Sequence, residues 1–149
     1  MRAALAQARR AAARGEIPVG AVVAVDGQIV ARAGNRSVAP PDPTGHAEIR
    51  AIRLAARRLG SYRLTAATLV VTLEPCVMCM GALVHARLAR LVFGAVDPKA
   101  GAAASLYRIA DDVRLNHRLP VQGGVLADDC GALLRDFFAA RRVSKRSSR

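Results

Sequence analysis

Aromatic residues, cysteines and long apolar runs are all scarce in this sequence. Its 149 residues include no tryptophan, two tyrosines and three phenylalanines. So few rings argue against a surface that binds single-stranded nucleic acid by stacking many successive bases. Three cysteines are too few for the disulfide framework of a small secreted protein. No apolar run approaches the roughly 18 residues of a membrane span, and the alanine-rich, arginine-interrupted N-terminus is unlike a secretory signal. These absences predict a cytoplasmic protein with no membrane partner.

Acidic residues are also few. Eleven Asp and Glu stand against 23 Lys and Arg, so the formal net charge is +12. Such an excess favours polyanionic partners, with nucleic acid as the first candidate. The alternative is a basic surface that is only solvated. Apolar residues make up 52% of the chain, which is enough for one core. We therefore expect a single domain over residues 1–149, in which residues 143–149 form a basic, frayed tail.

Turn-forming residues divide the chain into alternating helical and extended segments. Asp26-Gly27 predicts a two-residue hairpin, and the prolines of the stretch 39–45 exclude a helix there. The order of segments predicts an α/β fold with one mixed five-stranded sheet and helices on both faces, in three α/β/α layers. The predicted helices are 2–14, 46–58, 75–87, 106–110 and one from 128 onward, and the predicted strands are 21–25, 28–33, 67–72, 91–95 and 120–125.

One histidine and two cysteines have the spacing of metal ligands. Cys76 and Cys79 follow Pro75, and being three residues apart they share one side of a first helical turn. Free amides and the helix dipole favour thiolates there, the form that binds zinc. His46 follows the proline-rich loop. Three protein ligands leave the fourth position of a zinc ion open for water, which makes such a site catalytic. We predict one Zn²⁺ per chain, bound by His46, Cys76 and Cys79, and no organic cofactor.

Glu48 is predicted to be the acid–base group of this site rather than a ligand. Zinc lowers the pKa of a bound water to about 7. A neighbouring carboxylate can take the proton of that water and later give it to the leaving group. The pattern therefore indicates a zinc hydrolase.

Two other interpretations of the cysteine pair remain open. A redox C-x-x-C motif would leave the triplet His-Ala-Glu at 46–48 without a role. A structural zinc usually has a fourth Cys or His, and the remaining candidates are Cys130, His85 and His117. Cys130 continues an apolar helical stripe, so we expect it to be a small buried apolar residue.

Together these motifs resemble the bacterial tRNA-specific adenosine deaminases, part of the cytidine and deoxycytidylate deaminase superfamily. The signature H-x-E … P-C-x-x-C is common to zinc nucleobase deaminases, of which the tRNA enzymes are themselves a known example. The resemblance extends from residue 17 to about residue 142. Two segments make it closer to the tRNA enzymes than to deaminases of free bases, namely Asn116-His117-Arg118 and Asp136-Phe137-Phe138.

The resemblance implies a homodimeric cytidine-deaminase-like fold. It also implies that the protein converts the wobble adenosine of a tRNA anticodon loop, chiefly in an arginine tRNA, to inosine. Asn35 would hydrogen-bond the flipped base, although its spacing alone also suits a turn residue. The residues implied to contact the anticodon loop or its phosphates are Asp97, Lys99, Asn116, Arg141 and Arg142.

Two rival functions explain part of the sequence. A small-molecule deaminase of the same fold, acting on guanine, cytosine or a nucleotide, would share the zinc motif but would not need a net charge of +12. An RNA-binding module with a structural zinc would use the positive charge but would have no role for Glu48.

Overall fold

The computed structural model describes the backbone of residues 1–147 and the side chains of residues 1–144. Strands and helices alternate along the described chain after an opening helix and hairpin. The helices are α1 (Arg2–Ala13), α2 (Ala47–Leu59), α3 (Val77–His85) and α4 (Ala127–Ser147), and the strands are β1 (Gly20–Val25), β2 (Gln28–Gly34), β3 (Ala67–Leu73), β4 (Arg90–Ala95) and β5 (Val121–Gln122).

The five strands form one mixed sheet in the order β2-β1-β3-β4-β5. Strand β1 pairs antiparallel with β2 and β3, whereas β3, β4 and β5 run parallel. Helices α1 and α4 contact each other on one face, and α2 and α3 contact each other on the opposite face. The predicted three-layer α/β/α fold is therefore confirmed.

The predicted hairpin has the backbone that its sequence favours. Asp26 and Gly27 both adopt positive φ angles, 49° and 74°. Two successive positive φ angles are typical of the tight turn whose twist matches that of two antiparallel strands. The turn sets Val25 opposite Gln28, and this register continues along β1 and β2 apart from one irregularity between Val23 and Ala24.

The core lies on both sides of the sheet, where strand side chains meet the small residues of the helices. Phe93, Leu69 and Leu91 are among its largest fully buried side chains. Helix α1 packs so closely on β1 that a Cβ atom at Gly20 would lie 2.0 Å from the carbonyl oxygen of Ala4. This close packing holds α1 firmly against the sheet. The candidate site lies where β2 and β3 end, at the starts of α2 and α3.

Two predicted elements are shorter than expected. The helix predicted over 106–110 is wrong, because only a 3-10 turn at Ile109–Asp111 forms there. The fifth strand, predicted over 120–125, pairs only at Val121–Gln122. It ends where Gly123 lies against the ring of Phe93, leaving no room for a side chain, and Gly124 turns the backbone to a positive φ of 84°.

The last helix is longer than predicted. Helix α4 continues to Ser147, past residue 142, where the sequence placed the start of a basic, frayed tail; residues 148–149 lie outside the described chain. No glycine or proline interrupts the sequence after Gly131, so nothing in the chain ends the helix earlier. Cys130 is buried as predicted, where a Cβ atom at Gly94 would meet its sulfur at 2.4 Å. None of the described helices combines the length and apolarity that a membrane span requires.

Candidate metal centre

His46 is delivered to the site by the proline-rich loop that precedes α2. Within that loop the Asp42 carboxylate accepts hydrogen bonds from the amide and hydroxyl of Thr44, both at 2.8 Å. The His46 amide donates to the Thr44 carbonyl, and His46 itself is the N-cap of α2 with extended backbone angles. Its side chain can therefore reach past the end of the helix.

The two cysteines lie at the start of α3, directly after the carboxyl end of β3. Cys76 is the N-cap of α3, and Cys79 is buried one turn further on. Both sulfurs therefore lie among the free amides of the first helical turn, where the helix dipole favours negative charge. The helices that carry His46 and the cysteines contact each other.

The three predicted ligands converge on one point. His46 Nδ1 lies 3.7 Å from Cys76 Sγ and 3.5 Å from Cys79 Sγ. Tetrahedral zinc with bonds of about 2.0 Å to nitrogen and about 2.3 Å to sulfur requires a nitrogen–sulfur separation of about 3.5 Å. All three donor atoms lie within 4.8 Å of one another. The donor types and their spacing thus fit a zinc ion.

Within residues 1–144, none of the spare candidates joins this cluster to close a four-ligand site. Cys130 is buried below β4, and His85 is exposed on α3. The Nε2 group of His117 donates to the carbonyl oxygen of Leu88 at 2.8 Å. The described chain therefore supplies three ligands, which is the number found in catalytic rather than structural zinc sites.

The electrostatics of the cluster favour a thiolate at Cys76. Hydrogen bonds from Cys79 and from His46 lower the pKa of Cys76 to about 3. The pKa of Cys79 is raised, first by its hydrogen bond to Cys76 and then by burial. The pKa of His46 is also raised, mainly by its hydrogen bond to Cys76. The site therefore contains a thiolate, the form of cysteine that binds zinc.

Glu48 lies in the first turn of α2, beside the donor cluster but outside it. Its side chain is 4% exposed and interacts with the Cys79 thiol. Burial raises the pKa of Glu48 to about 7, although a backbone hydrogen bond and His46 oppose the shift. A carboxyl group with a pKa near neutrality can both take and give a proton at the working pH.

Asn35 has a structural contact that the sequence did not predict. Its side-chain oxygen accepts a hydrogen bond from the Ala47 amide at 3.1 Å, which ties the end of β2 to the start of α2. Asn35 is buried, and the Ala47 amide that it binds directly follows the predicted ligand His46. Its oxygen is therefore occupied, and its NH₂ group is the donor that it can offer to a substrate.

The residues implied to contact RNA do not all lie in one place. Lys99 and Arg142 line a groove of about 710 Å³ between the segment after β4 and helix α4, together with half-exposed Phe138. Arg141 instead lies over the ring of Phe137, 5.1 Å from its centroid. Asn116 lines a different cavity beside α3.

Asp97 also has a local structural contact. Its carboxylate oxygen accepts hydrogen bonds from the amides of Lys99 and Ala100, at 3.0 and 3.2 Å. This turn fixes the backbone of the residue that lines the groove.

Two buried carboxylates next to the site were missed by sequence analysis. Glu16 and Glu74 are each 2% exposed. Glu16 accepts hydrogen bonds from the amides of residues 37–39, and Glu74 accepts from amides of residues 97 and 103–105. No local pattern marks either residue, because their donors lie more than 20 positions away.

Comparison with protein families agrees with this geometry. Residues 1–95 match the family model described as the cytidine and deoxycytidylate deaminase zinc-binding region. The match includes His46, Glu48, Cys76 and Cys79.

Individual relatives extend the similarity over almost the whole chain. The tRNA-specific adenosine deaminase of Haemophilus influenzae is 50% identical over 147 residues, covering 98% of this chain and 85% of that protein. A structure from a study of adenosine-to-inosine editing by tRNA wobble-position deaminases is 45% identical, with a TM-score of 0.87, and the match covers 90% of this chain and 97% of the other. The guanine deaminase of Nitrosomonas europaea is 28% identical, with a TM-score of 0.79 and coverage of 91% and 81%.

Proposed function

Because the chain belongs to the tRNA-specific adenosine deaminases of the cytidine and deoxycytidylate deaminase family, we propose that it hydrolyses the wobble adenosine of a tRNA anticodon loop to inosine. Water replaces the exocyclic amino group of the adenine ring, and ammonia leaves. An arginine tRNA is the first candidate substrate. The single observation that carries the assignment is the convergence of His46, Cys76 and Cys79 beside the buried, non-ligating Glu48.

The chain's own residues divide the chemistry between binding and proton transfer. His46, Cys76 and Cys79 are the zinc ligands. Zinc held there supplies Lewis acidity and a water whose pKa is lowered to about 7. Glu48 accepts the proton of the attacking water, delivers it to the adjacent ring nitrogen and then protonates the leaving amino group. Its pKa of about 7 suits both roles.

Asn35 is proposed to orient the base. A flipped base must be read by hydrogen bonds inside the pocket. The oxygen of Asn35 is held by the amide of Ala47, the residue after His46, so its NH₂ group is a fixed donor. A fixed donor holds the base without the entropy cost of ordering a mobile side chain.

Phosphate contacts are proposed along the groove that Lys99 and Arg142 line. Both side chains are exposed, and Phe138 between them offers one ring for contact with a base or ribose. Asp97 supports this segment through its turn, and Arg141 adds positive charge on the same helix. Asn116 is exposed and lines the cavity beside α3 that we assign below to the homodimer interface, so it would contact RNA bound next to a second copy. The net charge of +12 supplies the long-range attraction for the RNA.

We assign the homodimer interface to the apolar cavity beside α3. The cavity has a volume of about 510 Å³ and is lined by Tyr62, Val77 and Leu115, among other residues. Tyr62 is 75% exposed and Val77 is 49% exposed in the single chain. Large apolar side chains grouped at one place are typical of an association surface. Val77 directly follows Cys76, so a second copy bound here would lie next to the metal centre.

The proposed function also bears on the domain organisation of the chain and on its location in the cell. Residues 1–149 are proposed to form one deaminase domain, since one sheet and one hydrophobic cluster span the described chain. A cytoplasmic location suits a tRNA substrate and reduced zinc-binding cysteines.

Mass spectrometry of tRNA tests the proposal most simply. Unmodified arginine tRNA with a wobble adenosine should gain inosine at that position after incubation with the zinc-loaded protein. The Glu48→Ala variant is the control for contaminating activity. Measuring guanine consumption in the same assay distinguishes tRNA deamination from guanine deamination, the activity of a second structure to which this chain is similar. An unchanged tRNA together with consumed guanine would reject the proposal.

A further inference from the structure

We propose that Glu74 is a positioning residue that sets where the segment 97–105 presents Lys99 to the RNA. This inference rests on the proposed function, because it requires that RNA binds at Lys99. Glu74 is buried and is directed at backbone amides, so it acts through the segment rather than on the substrate.

The Glu74 carboxylate joins the two ends of the segment. One oxygen, Oε1, accepts hydrogen bonds from the amides of Ala103, Ala104 and Ser105, at 3.2, 2.7 and 2.8 Å. The other oxygen, Oε2, accepts from the Asp97 amide at 2.9 Å and from the Ser105 hydroxyl. Five donors on one carboxylate close the segment into a loop around it.

The same residue connects this loop to the metal centre. Glu74 lies two positions before Cys76, and its own amide donates to the Ala95 carbonyl at 2.9 Å. The Pro75 carbonyl accepts from the Ala102 amide at 2.8 Å. A Cβ atom at Gly101 would lie 2.4 Å from the Glu74 carboxyl group, so the backbone passes directly against it. The loop is therefore anchored to the backbone that directly precedes Cys76.

The loop carries exposed groups that suit RNA. Lys99 is exposed and lines the groove that Arg142 shares. The amide of Lys99 is held by Asp97, whose own amide is held by Glu74. A chain of two hydrogen bonds thus runs from Glu74 to the backbone of Lys99. Weakening the hydrogen bond between Glu74 and the Asp97 amide would displace Lys99 from the RNA phosphate that it contacts, while the zinc ligands stay in place.

Glutamine is the substitution that tests the carboxylate itself. It has nearly the same size as glutamate, but one of its two polar ends is an NH₂ donor. In Glu74→Gln that donor must face either the Asp97 amide or the amides of 103–105, and two donors cannot pair. Ser105→Ala is a milder second variant that removes only one of the five donors.

A double-mutant cycle on KM for an anticodon stem-loop is the experiment. We expect Glu74→Gln to raise KM about tenfold and to change kcat less than about threefold, because uniform binding is lost while the chemistry is kept. Zinc content should stay at one per chain. In a Lys99→Ala background the same substitution should raise KM by no more than about twofold, because its effect passes through Lys99.

Glu16→Gln is the matched control. Glu16 is an equally buried carboxylate that binds three backbone amides, but those amides belong to residues 37–39. Its effect on KM should be the same in the unaltered protein and in the Lys99→Ala background. If Glu74→Gln does not fold, Ser105→Ala takes its place in the cycle.

Two results would overturn the inference. In the first, Glu74→Gln or Ser105→Ala raises KM by the same factor in both backgrounds, which would make its role purely structural. In the second, Lys99→Ala alone leaves KM unchanged, which would show that RNA does not bind at this loop. Turnover of the stem-loop by the unaltered protein would leave the proposed function standing in either case.

Discussion

The side-chain oxygen of Asn35 accepts a hydrogen bond from the backbone amide of Ala47 at 3.1 Å, between the proposed metal ligand His46 and the proposed acid–base residue Glu48. One contact from the end of β2 therefore holds the first turn of α2, which carries two of the site's groups. Because the NH₂ group of Asn35 is not needed for this contact, the two ends of the side chain have separable roles.

Two substitutions of Asn35 should separate those roles. Asn35→Ala leaves the buried Ala47 amide unpaired and should lower the free energy of unfolding by about 1–3 kcal/mol. Asn35→Asp keeps an acceptor for that amide but places a carboxyl group at a 6% exposed position, so its stability should lie between those of Asn35→Ala and the unaltered protein. Both variants lose the donor to the base and should lose most of kcat/KM on stem-loop RNA. Denaturant unfolding and steady-state kinetics measure the two effects, and full activity of Asn35→Asp would exclude Asn35 from base recognition.

Substitutions of Glu48 and Cys76 should separate acid–base chemistry from metal binding. Glu48→Ala should keep one zinc per chain and lower kcat by about 10²–10⁴-fold, the usual contribution of a positioned acid–base group. Cys76→Ala should lose both zinc and turnover. Elemental analysis with single-turnover kinetics measures both quantities. Substantial turnover by Glu48→Ala would mean that another group moves the proton.

Acid titration should reveal the contribution of Glu16 to stability. Burial alone would raise the pKa of Glu16, but hydrogen bonds from the Ser37, Val38 and Ala39 amides outweigh it and lower the pKa below its ordinary value. A lowered pKa in the folded state adds stability above the unfolded value of about 4.3 and loses it as the pH falls through the folded value. The stability gap between the unaltered protein and Glu16→Gln should be about 1.5–3 kcal/mol at pH 7.

The gap should then shrink steadily below pH 4, as the carboxylate is protonated. Denaturant unfolding of both proteins at each pH gives the difference directly, and zinc loss in acid affects both alike. A gap that stays constant from pH 7 to pH 3 would show that the Glu16 carboxylate contributes no charge-dependent stability.

The sequence was most informative where chemistry and turn geometry leave few choices. Pro75 and the cysteine spacing predicted the start of α3, and Asp26-Gly27 predicted the hairpin. The candidate zinc ligands could be predicted because few side-chain types bind zinc and the sequence contains only three cysteines and three histidines. These features depend on residue type over a few positions.

Long-range contacts could not be found in the same way. Nothing local distinguishes a buried Glu16 or Glu74 from a solvated glutamate, because the amides that bind them come from segments distant in the sequence. The early end of β5 depends on the contact between Gly123 and Phe93, which is likewise a tertiary contact. A basic run near the end of the sequence does not by itself show where a helix stops, so the sequence placed the end of α4 near residue 142 instead of at Ser147.

Salt dependence should report the phosphate contacts of the groove. Binding of an anticodon stem-loop should weaken with salt, and each neutralised single-strand phosphate contributes about 0.7 to the log–log slope. Lys99→Ala and Arg142→Ala should each reduce the slope by about that amount. Arg90→Ala is the matched control, since Arg90 begins β4 at the end of the strand remote from the groove. Equal slopes for all three variants would show that RNA binds to another surface of the protein.

Substrate choice tests the central claim most directly. Initial rates should be compared at one low salt concentration for an anticodon stem-loop with a wobble adenosine and for free adenosine, guanine and cytosine. The stem-loop should be turned over far faster than the others, because only it brings binding energy from groups remote from the reacting ring. Faster turnover of any free base or nucleoside would contradict the tRNA assignment and make the protein a small-molecule deaminase.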